Sequence, residues 1–227
     1  MTKTASARAL LEATTRGLAP EPGGNRLVPL IARGAARPET LAALALEQRL
    51  VVAADHRAFL RLAQESAARE PASEPFFTLL ARGEELAGER LGAFAEACGA
   101  DGARSAAYVP RPGCQAYPAY VAWLALNGAP ADVLLVLHAN FSAFGGYCAA
   151  VAAGLRRHYG FSDEACGFFD FFAEPAPELE RSARTAVRAA LDAGRVDEHL
   201  VHRYGRLLQA YEAMFWASLE EPAPDGA

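Results

Sequence analysis

Apolar residues recur every three or four positions along almost the whole chain, and short segments rich in Pro and Gly separate these stretches. This spacing places apolar side chains on one face of an α-helix, and no convincing alternation of apolar and polar residues competes with it. The pattern predicts an all-α protein with a loop at about 99–116. The predicted helices lie at about 4–17, 38–68, 74–98, 117–127, 130–158, 162–173, 176–193 and 196–220.

The 227 residues are enough for one sizeable core, and no linker rich in Ser, Gly and Pro divides them. We therefore predict a single domain over residues 1–227, with about 1–20 and 221–227 peripheral or frayed. The 22 basic and 27 acidic side chains give a net charge of -5, which argues against nucleic acid or an anionic membrane as partner.

The N-terminus has no apolar signal core, and no segment approaches about 18 uninterrupted apolar residues. We therefore expect a cytoplasmic protein that does not span a membrane. The 4 cysteines are too widely spaced for a zinc pattern. Reduced and mostly buried thiols are expected.

Residues 211–216, Tyr-Glu-Ala-Met-Phe-Trp, place one carboxylate in an apolar and aromatic segment. On a helix Tyr211 and Phe215 share one face, while Glu212 and Trp216 share the neighbouring edge. Burial there would raise the pKa of Glu212 and make it a proton donor or acceptor near neutral pH. The alternative is a boundary Glu with its carboxylate in water or on an Arg.

Two polar residues, His138 and Asn140, follow the apolar run at 133–137. Polar side chains in such a run must find partners or face a cavity. Asn140 can share a helical stripe with Tyr147, so the pattern predicts a polar-edged pocket, or else an Asn bonded to a neighbouring helix. The pair at Gly145 and Gly146 costs helix stability, about 1 kcal/mol per Gly, which indicates close packing or room for a ligand.

Acidic residues interrupt the helix that begins at Pro38. Glu47 and Asp55 are about two turns apart and are predicted to be two acidic positions on one pocket wall. Solvated charges on an amphipathic face are the alternative. Cys148 lies in an apolar context, where a thiol keeps a high pKa and packs rather than reacts.

A metal site is not predicted, because the chain lacks a Glu-x-x-His pair. Asp55, His199 and His202 could meet in space, but an exposed polar turn explains the two histidines more simply. We predict no metal and no cofactor.

The segment at 211–216 resembles the C-terminal Tyr-Glu-x-x-Phe-Trp motif of the TenA/THI-4 (thiaminase II) family, in the haem-oxygenase-like all-α superfamily. Ala116-Tyr117 through Leu126-Asn127-Gly128 is similar to a second family segment, and the resemblance covers about residues 25–220. It implies a TenA-like helical bundle, a catalytic Glu212, an active-site Tyr117, and a homodimer or homotetramer.

Two positions depart from the family pattern. The position of the family's nucleophilic cysteine falls at Asn140. The position of its substrate-binding aspartate falls at Arg49, or at Gln48 if the register shifts by one. An amide cannot act as a thiolate nucleophile, so cysteine-dependent thiaminase II chemistry is not expected.

The leading hypothesis is an internal pocket for a small heteroaromatic ligand, with hydrolysis of a pyrimidine- or thiamin-type compound by Glu212 as acid and base. Glu47 and Arg49 are further predicted ligand-binding residues. The alternatives are a non-catalytic ligand-binding or regulatory protein and a metal-dependent oxidase. The predicted pocket residues are Tyr117, Asn140, Phe144, Tyr147, Glu212 and Phe215.

Overall fold

A computed structural model describes residues 6–100 and 102–220, and the helices in this part of the chain are joined by short connections. A π-helical turn, Leu155–Tyr159, continues α7. The α-helices are α1 (Ala7–Gly17), α2 (Leu27–Ala32), α3 (Pro38–Arg69), α4 (Glu74–Ala97), α5 (Gly102–Ala107), α6 (Pro112–Asn127), α7 (Pro130–Gly154), α8 (Asp163–Ala173), α9 (Pro177–Asp192) and α10 (Glu198–Glu220).

All eight predicted helices are present, and the chemistry of their first residues explains where several begin. Helices α3 and α7 start at Pro38 and Pro130, where the fixed φ of Pro suits the first turn and its missing N–H needs no partner. Helix α8 is capped by Ser162, whose hydroxyl accepts a 3.1 Å bond from the amide of Ala165.

The predicted loop at 99–116 was wrong in part. Helix α5 occupies Gly102–Ala107, and α6 begins at Pro112 rather than near 117. Pro112 stands at the start of α6 for the same reason as at α3 and α7. Helix α2 was also missed, because six residues are too few for a helical period to show.

The N-terminal segment is less peripheral than predicted. Helix α1 is capped by the Ser6 hydroxyl, and its Leu10 and Leu11 are buried. It packs on α7 and α9. Residues 1–5 and the predicted frayed tail, 221–227, lie outside the described residues.

Six helices pack in a closed ring, in the order α3, α4, α8, α7, α10 and α6, with α6 returning to α3. Helices α1 and α2 pack against the outside of this ring, mainly on α7, and α9 packs on α1, α4 and α7. The 30-residue helical stretch Pro130–Tyr159 is long and apolar enough to cross a membrane. Its most apolar part, residues 133–137, is buried against the other helices, as expected of a core helix.

Candidate functional site

A small internal cavity of about 40 Å³ lies within the ring, and each of the six helices contributes to its wall. Its apolar wall consists mainly of Phe141, Phe144, Phe168, Phe172, Phe215 and Trp216. Its polar groups are Gln48, Asp55, Glu84, Tyr117, Asn140 and Glu212. An apolar wall with a few convergent polar groups is typical of small-molecule sites, but such sites usually measure about 300–1,000 Å³. A ligand larger than a water molecule therefore requires the wall of this cavity to open.

Glu212 lies on α10 with only 6% of its surface exposed, and two side chains hold its carboxylate. Asn140 Nδ2 donates to Oε2 at 2.6 Å, and Trp216 Nε1, one turn further along α10, donates to Oε1 at 3.3 Å. Burial raises the pKa of Glu212 to about 7, although both hydrogen bonds act to lower it. A carboxyl group with this pKa can both accept and donate a proton at neutral pH.

A hydrogen-bonded chain leads from Tyr117 through Asn140 to Glu212. The Tyr117 hydroxyl donates to Asn140 Oδ1 at 2.9 Å, so the Asn140 amide is oriented with its nitrogen toward Glu212. Three helices, α6, α7 and α10, are joined in this way. Asn140 thus lines the cavity and also bonds to neighbouring helices, which combines the two arrangements that the sequence left open.

Asp55 on α3 and Glu84 on α4 form a second group of buried acids on the cavity wall. Burial raises both pKa values well above their usual range, and the charge of Asp55 raises that of Glu84 further. Two buried carboxyl groups near each other do not both ionise readily, so the pair retains a proton. Asp55 Oδ1 has no hydrogen-bond partner, which leaves a buried acceptor at the cavity.

Tyr117 lies within the electrostatic influence of all three acids. Burial raises the pKa of its hydroxyl, and the charges of Asp55, Glu212 and Glu84 raise it further. Tyr117 therefore keeps its proton and remains a hydrogen-bond donor.

Glu47 was predicted on the same wall as Asp55, but the structure places it elsewhere. Its buried carboxylate accepts from the Tyr108 hydroxyl at 2.7 Å, the Arg111 amide at 2.7 Å and Gln115 Nε2 at 2.6 Å. These bonds fasten α3 to the segment that leads into α6. The second acid beside Asp55 is Glu84.

Two other predicted ligand-binding residues also lie off the cavity wall. Arg49 is exposed and donates to Ser105 Oγ at 2.6 Å, whereas its neighbour Gln48 lines the cavity. Tyr147 packs edge-on against Trp216, with ring centroids 5.8 Å apart. It supports a residue of the wall rather than lining it.

Sequence reasoning missed Glu84, although a signal for it exists. Phe77 and Leu80 precede it, and Ala87 and Leu91 follow it, at the spacing of one helical face. These four residues are buried, so a carboxylate between them is enclosed as well.

The other candidate nucleophile and metal ligands are dispersed. Cys148 is buried off the cavity wall, and burial raises the pKa of its thiol. Asp55 is internal, whereas His199 and His202 are exposed at the start of α10, so these three do not meet. Within 6–100 and 102–220, no group of three or more His, Cys, Asp or Glu side chains is arranged to hold a metal ion.

Comparison with known proteins shows the fold. No protein-family model matches the sequence, and no curated protein matches it either. Among solved structures, the chain is similar to a TenA homolog from Pseudomonas syringae pv. tomato, with a TM-score of 0.67 and 11% identity. The match covers 97% of this chain and 96% of that one. The chain therefore has the all-α, TenA-like helical fold.

Proposed function

We propose that the protein hydrolyses a small heteroaromatic compound of the pyrimidine type, with Glu212 as general acid and base. The supporting observation is a buried carboxyl group with a pKa of about 7 on the wall of an internal cavity. Strongly shifted acids in such positions are typical of catalytic sites. The TenA-like fold and the motif around Glu212 agree with this chemistry.

In the proposed step, the Glu212 carboxylate removes a proton from water. The water oxygen bonds to the substrate carbon that holds the leaving nitrogen, and the carbon–nitrogen bond breaks. Glu212 gives the proton to an amine leaving group, whereas the quaternary nitrogen of thiamin leaves neutral and Glu212 releases the proton to solvent. Asn140 and Trp216 hold the carboxylate in place during both transfers. Water is the nucleophile because Asn140 occupies the position opposite Glu212 and an amide is not nucleophilic.

Substrate binding would use the remaining polar groups of the cavity. The unpartnered Asp55 oxygen is an acceptor for a ring N–H or an amino group, and the protonated member of the Asp55 and Glu84 pair is a donor for a ring nitrogen. The aromatic wall offers faces for stacking against a flat ring. An aminopyrimidine presents donors, acceptors and a flat face together.

The test replaces Glu212 with Gln, which preserves shape but cannot exchange a proton. We expect kcat on a panel of aminopyrimidines that includes thiamin to fall by about 100-fold or more, with KM little changed. Glu198→Gln, an exposed acid on the same helix, is the matched control and should retain full activity. Wild-type turnover by Glu212→Gln would exclude the proposal.

A second candidate is a protein that binds such a ligand without converting it. It is favoured by the direct contact between Asn140 and Glu212, which satisfies the carboxylate without a substrate. The two functions are separated by calorimetric binding combined with product analysis. Saturable binding without product would favour the second.

A further inference from the structure

A larger groove lies beside the cavity and opens on the surface between α4, α7 and the segment that joins α8 to α9. Its volume is about 870 Å³. Most of its wall is apolar, with contributions from Leu79 and Leu86 of α4, Ala149 of α7, Phe171 of α8 and Leu179 of α9. Leu86 is 46% exposed although it is a large apolar residue.

The groove and the cavity share three wall residues, Glu84, Phe141 and Phe172. The two phenylalanine rings are stacked, with centroids 6.1 Å apart and an interplanar angle of 16°. One layer of side chains therefore separates the two spaces. Both rings are partly exposed, whereas Glu84 is buried.

We infer that the groove is the second half of the ligand site. The stacked rings of Phe141 and Phe172 close the direct path between the two spaces in this structure, and the cavity of about 40 Å³ is smaller than a heteroaromatic ring, so both rings must swing aside for a ligand to bind. The polar head then lies in the enlarged cavity, and an apolar extension that is not anionic reaches the groove past the two rings. This inference rests on the proposed function, because the head is the heteroaromatic group that the cavity acids bind. It adds that the ligand is amphipathic and longer than a single ring.

Gly146 supports the inference. A Cβ atom at this position would have no neighbour within 4 Å, so packing does not require glycine there. Glycine inside a helix costs about 1 kcal/mol relative to alanine, and Gly146 lies on the groove wall. Its lack of a side chain keeps the groove wide. At Gly145, in contrast, a Cβ would lie 2.8 Å from the Phe172 carbonyl oxygen, so close packing explains that glycine.

The apolar wall of the groove favours an uncharged extension. Three carboxylates, Glu174, Glu178 and Glu180, and the guanidinium group of Arg82 also line the groove. His138 contributes one further polar group, with Nε2 2.9 Å from Glu180 Oε1 and Nδ1 buried without a partner. Arg184 pairs with Glu180 at 3.8 Å, and Arg90 lies 5.1 Å from the centroid of the Phe171 ring, so the charges around the groove nearly balance. An anionic group is disfavoured because the apolar wall does not replace its hydration.

The test uses 4-aminopyrimidines with an n-alkyl chain of one, four or eight carbons at ring position 5, measured by titration calorimetry. Burial of each methylene is worth about a fourfold gain in affinity at best, so we expect a gain of about 100-fold or more from the shortest to the longest chain. A carboxylate at the end of the eight-carbon chain should remove most of this gain.

Gly146→Leu should abolish the dependence on chain length while leaving the affinity for the 5-methyl compound unchanged. Gly92→Leu is the matched control, because Gly92 is also an exposed glycine within a helix with nothing near its Cβ position. It should behave as wild type.

Each other outcome overturns the inference. If the wild-type protein binds all the compounds but its affinity does not rise with chain length, the groove is rejected and the proposed function stands. If the affinity still rises with chain length in Gly146→Leu, the extension does not lie in the groove beside Gly146. The same conclusion follows if Gly92→Leu also loses the dependence on chain length. A series in which no member binds rejects the groove together with the proposed head group.

Discussion

Asn140 Nδ2 lies 2.6 Å from Glu212 Oε2, and both residues are buried. The bond favours the ionised carboxylate, whereas burial favours the protonated form. The pKa of about 7 is the balance of these two effects, with burial the larger. The same bond joins α7 to α10, so it affects both the chemistry and the stability of the bundle.

Asn140→Leu is expected to move the Glu212 pKa above its present value, because one of the two lowering hydrogen bonds is lost. The rising limb of the pH–rate profile should therefore move to higher pH. The Tyr117 hydroxyl also loses its acceptor, and we expect a loss of about 2–4 kcal/mol in unfolding free energy. Asn127→Leu, at an exposed amide bonded to the Trp123 carbonyl oxygen, is the control for stability. An unshifted profile would contradict the role of Asn140.

Glu212→Gln should change how the stability depends on pH. The carboxyl pKa is about 7 in the folded protein against an ordinary value of 4.5. Between these values the folded state holds a proton that the unfolded state has released, so wild-type stability falls as pH rises through this window. The Glu212→Gln variant has no carboxyl group to titrate there, so its stability does not fall in this window. The difference in unfolding free energy between the variant and the wild type should therefore shift by roughly 3 kcal/mol in favour of the variant from pH 4 to pH 8.

Urea unfolding at the two pH values measures this difference. Asp55 and Glu84 are present in both proteins, so their titration cancels to first order. Glu198→Gln should follow the wild type. A difference between Glu212→Gln and wild type that does not vary with pH would show that Glu212 titrates normally.

Glu47→Leu is expected to destabilise the fold by about 3 kcal/mol, because the Tyr108 hydroxyl, the Arg111 amide and the Gln115 amide all lose their acceptor. Arg49→Ala removes an exposed contact and should change the unfolding free energy by less than about 1 kcal/mol. Denaturant unfolding measures both. Neither variant should alter the affinity for a cavity ligand by more than about twofold when assayed well below its melting temperature. A selective loss of affinity in Glu47→Leu would return this residue to the site.

Alanine at the two adjacent glycines should have opposite effects. Gly146→Ala should stabilise the protein by up to about 1 kcal/mol, since the added methyl group has free space and improves helix propensity. Gly145→Ala should destabilise it by about 1–3 kcal/mol, because the methyl group meets the Phe172 backbone. Thermal unfolding of the two variants side by side gives the comparison. Effects of the same sign would contradict the packing of α7 on α8.

The fold could be predicted because helical periodicity repeats over long segments, and Pro38 and Pro130 mark where two of the helices begin. The prediction for Glu47 was wrong because it treated eight residues as two full turns of helix. Eight residues on a helix advance by about 80° beyond two full turns, whereas seven fall about 20° short. Asp55 therefore shares the cavity wall with Gln48, seven residues earlier, and Glu47 faces another neighbour.

Two polar residues in strongly apolar sequence, Asn140 and Glu212, line the cavity. Tyr117, which the family resemblance implied, lines it as well, as do Phe144 and Phe215. Whether these residues form a functional site stays a prediction. Glu84 was missed because its nearest neighbours in sequence are themselves polar or small and suggest a surface turn of helix. The apolar face on which it lies is visible in the sequence, but the packing of α4 between α3 and α8, which encloses that face, depends on contacts between distant segments.

The ring of six helices also has a consequence for how the protein is made. The cavity wall begins at Gln48 and ends at Trp216, so no shorter stretch of the chain contains all its parts. During synthesis, Asp55 and Glu84 are made well before α10, which carries Glu212, the hydrogen-bond partner of Asn140. A nascent chain therefore has no complete cavity until α10 has been synthesised and docks on α6 and α7.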